Sequence, residues 1–513
     1  MGGLIQSPAD VRFYSPVKSL ILPALLGATV IVHAAENEPC RTAWEAYRAA
    51  AEKRGVKLFI KDFVQPDIPD AENYAAIPLI RAMFDERKPG EDSSGPFALP
   101  KDKDRPKVSS FTKGTRTDLG AWRDYLLRVK LLAAATEDVP ADILRALEKF
   151  ELQLQQLRDA SARPRCKFPT RWESCVGPKT PHLSPLLGAG TIFALRTEVL
   201  LAKGDTAAAL SEFHHAMRLR EALVSEPWTI AMLVRGNIMG KLSGAVWGGL
   251  AAHRWHEPDL VAIEKELSGV RLCHEFQRAF EVERTTAPEL ALSFTTKTPE
   301  EIRERLAEIG LEKPIINNLH GLDETIIFGR VFVKREMLYR NVLAMHEGID
   351  ALAARFCVAP GRENAMSLDA EYSGAKWLLS YAAKVGRKAE DYPDDFPVAY
   401  PFLSTLGVMG RQFPRIQTTL QQTLLACALE RFWIRQGAFP EKLDELVPQF
   451  IADVPRDIAD GKPLRYRRNP DGGYDVWSVG ENRKDDGGVF DPKKSDTEQA
   501  DWIWHIPGPA KAP

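Results

Sequence analysis

Leu195-Arg-Thr-Glu-Val-Leu-Leu-Ala-Lys-Gly-Asp-Thr-Ala-Ala-Ala-Leu-Ser-Glu-Phe-His-His-Ala-Met-Arg-Leu-Arg-Glu-Ala-Leu223 decides the fold. It reads as a helix ending near Ala202, a turn at Gly204-Asp205, and a second helix with small residues at Ala207, Ala208 and Ala209 and an aromatic at Phe213. Glycine ends a helix cheaply because it tolerates the left-handed conformation. Helical spacing of apolar residues extends outward on both sides, from Asp118 to about Arg435. Ile143, Leu147, Phe150, Leu154 and Leu157 alternate steps of four and three and keep one face apolar. The expected class is therefore mainly α: an irregular helical array.

The hairpin at Leu195–Leu223 resembles one tetratricopeptide unit, but no second copy follows at a fixed period. The next helix carries Gly236, Gly240, Gly244 and Gly248, four residues apart and so along one face. Each costs roughly 1 kcal/mol relative to Ala, which points to close approach of a neighbouring helix. A phosphate loop is excluded: Gly236 to Lys241 is one residue short of the required spacing, and Leu242 stands where Ser or Thr is needed. The stretch Ile326–Phe356 also reads as helix, Val56–Val64 as a short strand, and Glu86–Thr117 as an exposed polar linker.

The 513 residues suggest two or three domains, with 44% hydrophobic and 27% charged residues, enough for a sizeable core. The net charge of −2 and the lack of a long basic run exclude a dedicated nucleic-acid binder. At the N-terminus, Arg12 and Lys18 precede an apolar run from Leu20 to Val32, followed by Val32-His33-Ala34. This is the order of a secretory signal peptide, with cleavage expected after Ala34 and a periplasmic or secreted destination. Left uncleaved, the same segment would be the chain's expected attachment to a membrane. Six cysteines permit disulfides in an oxidising compartment. Cys166 and Cys175 form the best candidate pair, and Cys273 and Cys427 read as buried thiols.

The expected organisation is a signal peptide over 1–34, a helical segment and linker over 35–117, the array over 118–397, and a small α/β module over 398–513. In the module a long helix, Phe413–Arg435, precedes Gly437-Ala438-Phe439-Pro440 and a short helix, Glu441–Val447. Strands are expected at Pro463–Arg468, Tyr474–Val479 and Trp502–Ile506, with a glycine- and aspartate-rich loop, Gly480–Asp501, before the last.

Phe439-Pro440, Val454-Pro455-Arg456-Asp457, Leu464-Arg465-Tyr466, Gly473-Tyr474-Asp475-Val476-Trp477-Ser478-Val479-Gly480 and Asp501-Trp502 together carry a resemblance. The segment 411–507 resembles the C-terminal region of the major pseudopilin of type II secretion systems. That resemblance implies a pilin-like fold and calcium in the late loop. The loop offers Asn482, Asp485, Asp486, Asp496 and Asp501, hard oxygen donors on a Gly-containing backbone, which suit Ca²⁺. The N-terminal signal lacks the family's Gly-then-aromatic processing site, so the likeness is to a module and not to a polymerising subunit. The rest of the chain resembles uncharacterised exported bacterial proteins, which implies no activity.

No catalytic constellation stands out. His274-Glu275 and His346-Glu347 are lone pairs, and His214 and His215 point about 100° apart on a helix. The expected function is an interaction or scaffold protein of the bacterial envelope with protein partners. The alternative is a hydrolase-like periplasmic enzyme with a dispersed site in the helical body.

Overall fold

A computed structural model describes residues 38–85, 95–172, 180–296, 325–328, 331–355, 374–384, 399–491, 493–494 and 499–508. The expected signal peptide, Cys175 and Asp496 lie outside the described residues, as do Glu300–Ile309, whose apolar spacing reads as helix, and Gly386–Pro397, which reads as a polar loop. The chain is mainly helical, with a small antiparallel sheet near its C-terminus. Its helices are α1 (Glu38–Lys53), α2 (Pro78–Ala82), α3 (Leu119–Arg128), α4 (Val139–Leu147), α5 (Glu151–Ala160), α6 (Leu183–Lys203), α7 (Thr206–Ala222), α8 (Thr229–Leu250), α9 (Glu257–Ser268) and α10 (Leu272–Thr296). A hairpin follows, β1 (Thr325–Phe328) and β2 (Val331–Lys334), then α11 (Arg335–Arg355), α12 (Gly374–Lys384) and α13 (Ala399–Gln436). The sheet comprises β3 (Arg465–Arg468), β4 (Tyr474–Ser478) and β5 (Trp502–Ile506), in the order β3-β4-β5.

The α6–α7 hairpin forms as its sequence dictates. Gly204 closes α6 at φ +81°, and the Asp205 carboxylate accepts the Ala208 N–H at 3.0 Å to start α7. Helix α6 is long and apolar enough to cross a membrane, yet most of it is buried inside the protein against α4, α7 and α8. Its hydropathy is that of a core helix.

Two local expectations are corrected. Val56–Val64 is not a strand: Ile60–Phe63 forms a 3-10 turn, because Ile60 and Phe63 lie three apart and are buried together, where a strand would send them to opposite faces. The expected helix Ile326–Phe356 begins only at Arg335, because the β-branched and aromatic runs before it pair as a hairpin, Thr325 opposite Lys334.

The glycine stripe on α8 also has a different explanation from helix-on-helix contact alone. A Cβ at Gly236 would strike the Ile416 side chain on α13. At Gly244 and Gly248, however, it would meet the carbonyl oxygen of Ser109 at 2.9 Å and its hydroxyl at 3.1 Å. Gly240 faces open space. The described part of the polar stretch, residues 95–117, is irregular but not a solvated linker. Phe97, Ser109 and Thr112 are buried, Phe111 stacks on Trp504 at 4.8 Å, and its carbonyl accepts the His505 N–H at 3.0 Å.

Helix α13 runs through Pro414 and takes in the apolar stretch Val398–Met409 from Ala399 onward, so it is far longer than Phe413–Arg435. Gly437, at φ +76°, ends it, its N–H reaching the Trp433 carbonyl at 2.8 Å. One face of α13 packs on α8 and α9, and its Gln422 amide donates to the Trp502 carbonyl of β5 at 2.7 Å. The Trp247 indole on α8 donates to the His505 carbonyl at 2.7 Å. A continuous core therefore runs from Trp44 on α1 to Ile506 on β5.

Candidate functional site

The late acidic loop hangs from the sheet by its own carboxylates. Asp457, of the Val-Pro-Arg-Asp run, is 1% exposed. It accepts the Ser478 hydroxyl at 2.7 Å, the N–H groups of Val479 and Ala459 at 2.9 Å each, and the Arg465 guanidinium at 2.6 Å. Asp485 accepts the Trp477 indole N–H at 2.9 Å and the Gly487 N–H at 3.0 Å. The Trp477 hydrogen bond, against the cost of burial, holds its carboxyl below the ordinary range. The Asn482 amide donates to Asp486 at 2.8 Å.

Asp501 is buried at the head of β5 and accepts the Gly488 N–H at 2.8 Å and, more weakly, the Asp486 N–H at 3.5 Å. Burial pushes its pKa up, and the neighbouring charges of Asp486 and Asp485 add to the shift. Four of the five expected donors thus share one loop, and Asp496 lies outside the described residues. Among the described residues no three His, Cys, Asp or Glu side chains stand close enough to hold an ion as arranged. The donor set fits Ca²⁺ chemically: oxygen ligands, a glycine-containing loop, and crowded negative charge that a cation would relieve.

A second polar centre lies inside the helical body, where sequence reasoning pointed to nothing. Both oxygens of Glu275 on α10 accept the Arg220 guanidinium of α7 at 2.6 Å, and one also accepts Arg235 Nε of α8 at 3.0 Å. Burial alone would raise the Glu275 pKa, but the two guanidiniums hold it low. Arg235 also donates to the carbonyls of Leu223 at 2.8 Å and Glu226 at 3.0 Å, which pins the turn between α7 and α8.

Beside this ion-paired triad sit an acid and a base that are not hydrogen-bonded to each other. Glu226 accepts the Thr170 hydroxyl at 2.9 Å through one oxygen. Among the described residues its other oxygen has no hydrogen-bond partner, and it stands 3.9 Å from His182 Nε2. The His182 ring is sandwiched between Phe168 at 4.3 Å and Phe84 at 4.9 Å, and among the described residues neither ring nitrogen has a partner. Burial pushes the Glu226 carboxyl up to about 8 and the His182 imidazole down to about 3, so both are neutral at pH 7. The Trp228 indole N–H lies close enough to favour the Glu226 carboxylate but falls outside hydrogen-bond geometry. These groups could move a proton, but His182 and Glu226 are 0% and 1% exposed. The one available hint was the Pro- and aromatic-rich stretch Ala162–Pro185, which contains Thr170 and His182.

The adjacent histidines His214 and His215 diverge, as their spacing requires. His214 pairs with Glu266, and His215 bonds Ser161 at 3.2 Å. His346 is buried against Trp44 and Tyr47. Among the described residues Cys273 and Cys427 are buried free thiols and Cys166 has no disulfide partner, while Cys175, its expected partner, lies outside them. No family model matches the chain, and neither a curated protein nor a solved structure matches it.

Proposed function

We propose that this chain is an exported interaction protein of the bacterial envelope, in which a helical array carries a pilin-like α/β module whose late loop takes calcium. The observation that carries the reading is the way the module is built in. A polymerising subunit needs its long helix free to pack on other copies, whereas the 38 residues of α13 serve the chain's own core, with α8 and α9 on one side and the sheet on another. Phe111, Trp247 and Gln422 further fasten β5 to the body. This supports a rigid body offering a surface to protein partners. The alternative of a hydrolase-like enzyme is less well supported, because the place where an unusual acid and base meet is sealed from solvent.

Calcium is tested on the full chain, since α13 is shared with the array. Thermal melts are compared with calcium and with a chelator. Calcium that binds only the folded state at 100 times its dissociation constant adds about 2.7 kcal/mol. The expected result is a higher melting temperature in calcium, lost when Asp485 and Asp486 are both replaced by Ala. Identical melts in calcium and chelator would remove calcium from this reading.

A further inference from the structure

On the outer face of α10, where residues 57–63 pass over it, a cavity of about 120 Å³ is lined by Lys57, Phe63, His274, Gln277, Arg278 and Glu281. The Lys57 ammonium sits 4.9 Å above the Phe63 ring. Its other charged groups are not used by the fold. Among the described residues, Lys57, Arg278 and Glu281 make no hydrogen bond or ion pair, and the Arg278 Nε is buried without an acceptor. A donor left so costs about 1–3 kcal/mol, which an acceptor from solution would recover.

Arg278 and Glu281 are three apart on a helix, a spacing at which opposite charges commonly pair, yet here they stand separately in one cavity. Two other charges on α10 do meet partners: Glu275 is held by two arginines, and Arg284 pairs with Asp350 at 2.7 Å.

Two cations and one anion, none of them hydrogen-bonded or ion-paired among the described residues, are complementary to a small molecule with two carboxylates and one ammonium group. We infer that this cavity binds an amino-dicarboxylate. The planar fork of Arg278 takes one carboxylate through two parallel N–H donors, and Lys57 takes the other as a point charge. Glu281 receives the ligand's ammonium, and its methylenes lie along the Phe63 ring. This site is separate from the acidic loop, and its occupancy is independent of calcium.

The test is isothermal titration of the full chain with glutamate as the probe, beside glutarate, which lacks the ammonium, and inorganic phosphate. The expected result is saturable glutamate binding that is tenfold or more tighter than glutarate binding. Arg278→Gln should abolish it without lowering the melting temperature. Glu281→Gln should bring glutamate to the level of glutarate, a change of about 1.4 kcal/mol for tenfold. No heat with glutamate, equal affinities for glutamate and glutarate in the unaltered chain, or tighter binding of phosphate would each overturn the inference.

Discussion

Asp457 in the C-terminal module and Glu226 in the helical body are both 1% exposed, yet they are treated in opposite ways. Asp457 accepts hydrogen bonds from a hydroxyl, two backbone N–H groups and a guanidinium, all within 22 residues of it in sequence. Glu226 has one side-chain partner, Thr170, from 56 residues away, and its second oxygen faces an imidazole too distant to bond. A carboxylate surrounded by donors supplied locally stabilises a turn. One buried among aromatics becomes a neutral acid, and its cost depends on pH.

The largest effect expected from this contrast is at Asp457. Asp457→Ala would strand the Ser478 hydroxyl and the Val479 N–H in the interior, with a loss on the order of 3–5 kcal/mol. It is read as a fall in the denaturant midpoint. A loss under about 1 kcal/mol would mean that the module does not depend on this satisfied carboxylate.

The next effect is the pH dependence of stability. Unfolded, Glu226 ionises near 4.5; folded, it holds its proton to about 8, so its contribution falls as pH rises between those values. His182 works the other way: it protonates near 6.5 when unfolded and only near 3 when folded, so its contribution falls as pH drops through that range. The two slopes cancel from about 4.5 to 6.5, which gives a plateau with a decline on either side. Glu226→Gln should remove the alkaline limb, a gain of several kcal/mol at about pH 9 and almost none at about pH 4. His182→Phe should remove the acid limb, since the ring already stacks between two phenylalanines. Denaturant midpoints across the pH range measure both, and unchanged profiles would break the comparison.

The smallest effect separates the glycines of α8. Gly240→Ala, facing open space, should gain about 1 kcal/mol, whereas Gly236→Ala must displace Ile416 and should lose stability. Thermal melts of the two variants decide whether close approach explains the stripe.

What was legible follows from range. The hairpin about Gly204-Asp205 and the strand Trp502–Ile506 stand where their sequences put them, because caps, turns and alternation act over a few residues. That Asn482, Asp485, Asp486 and Asp501 fall in one loop before the last strand follows from the same short range. Ile60–Phe63 and Thr325–Lys334 were misread because short apolar runs carry no decisive period of their own. The pair Glu226 and His182 lies 44 residues apart, and the charges of the α10 cavity come from two elements more than 200 residues apart. Neither grouping leaves a spacing in the chain.

By itself the sequence determined a mainly helical protein closed by a small antiparallel sheet, because hydrophobic periodicity and turn chemistry are written residue by residue. Only the tertiary structure decided that residues 95–117 are a packed strap, that three glycines of α8 make room for that strap and for α13, and that α13 belongs to the array and the module alike. It also decided which charges meet a partner. Burial and pairing depend on what distant segments bring to the same place, and a carboxylate in the sequence carries no mark of whether an arginine or a phenylalanine will face it.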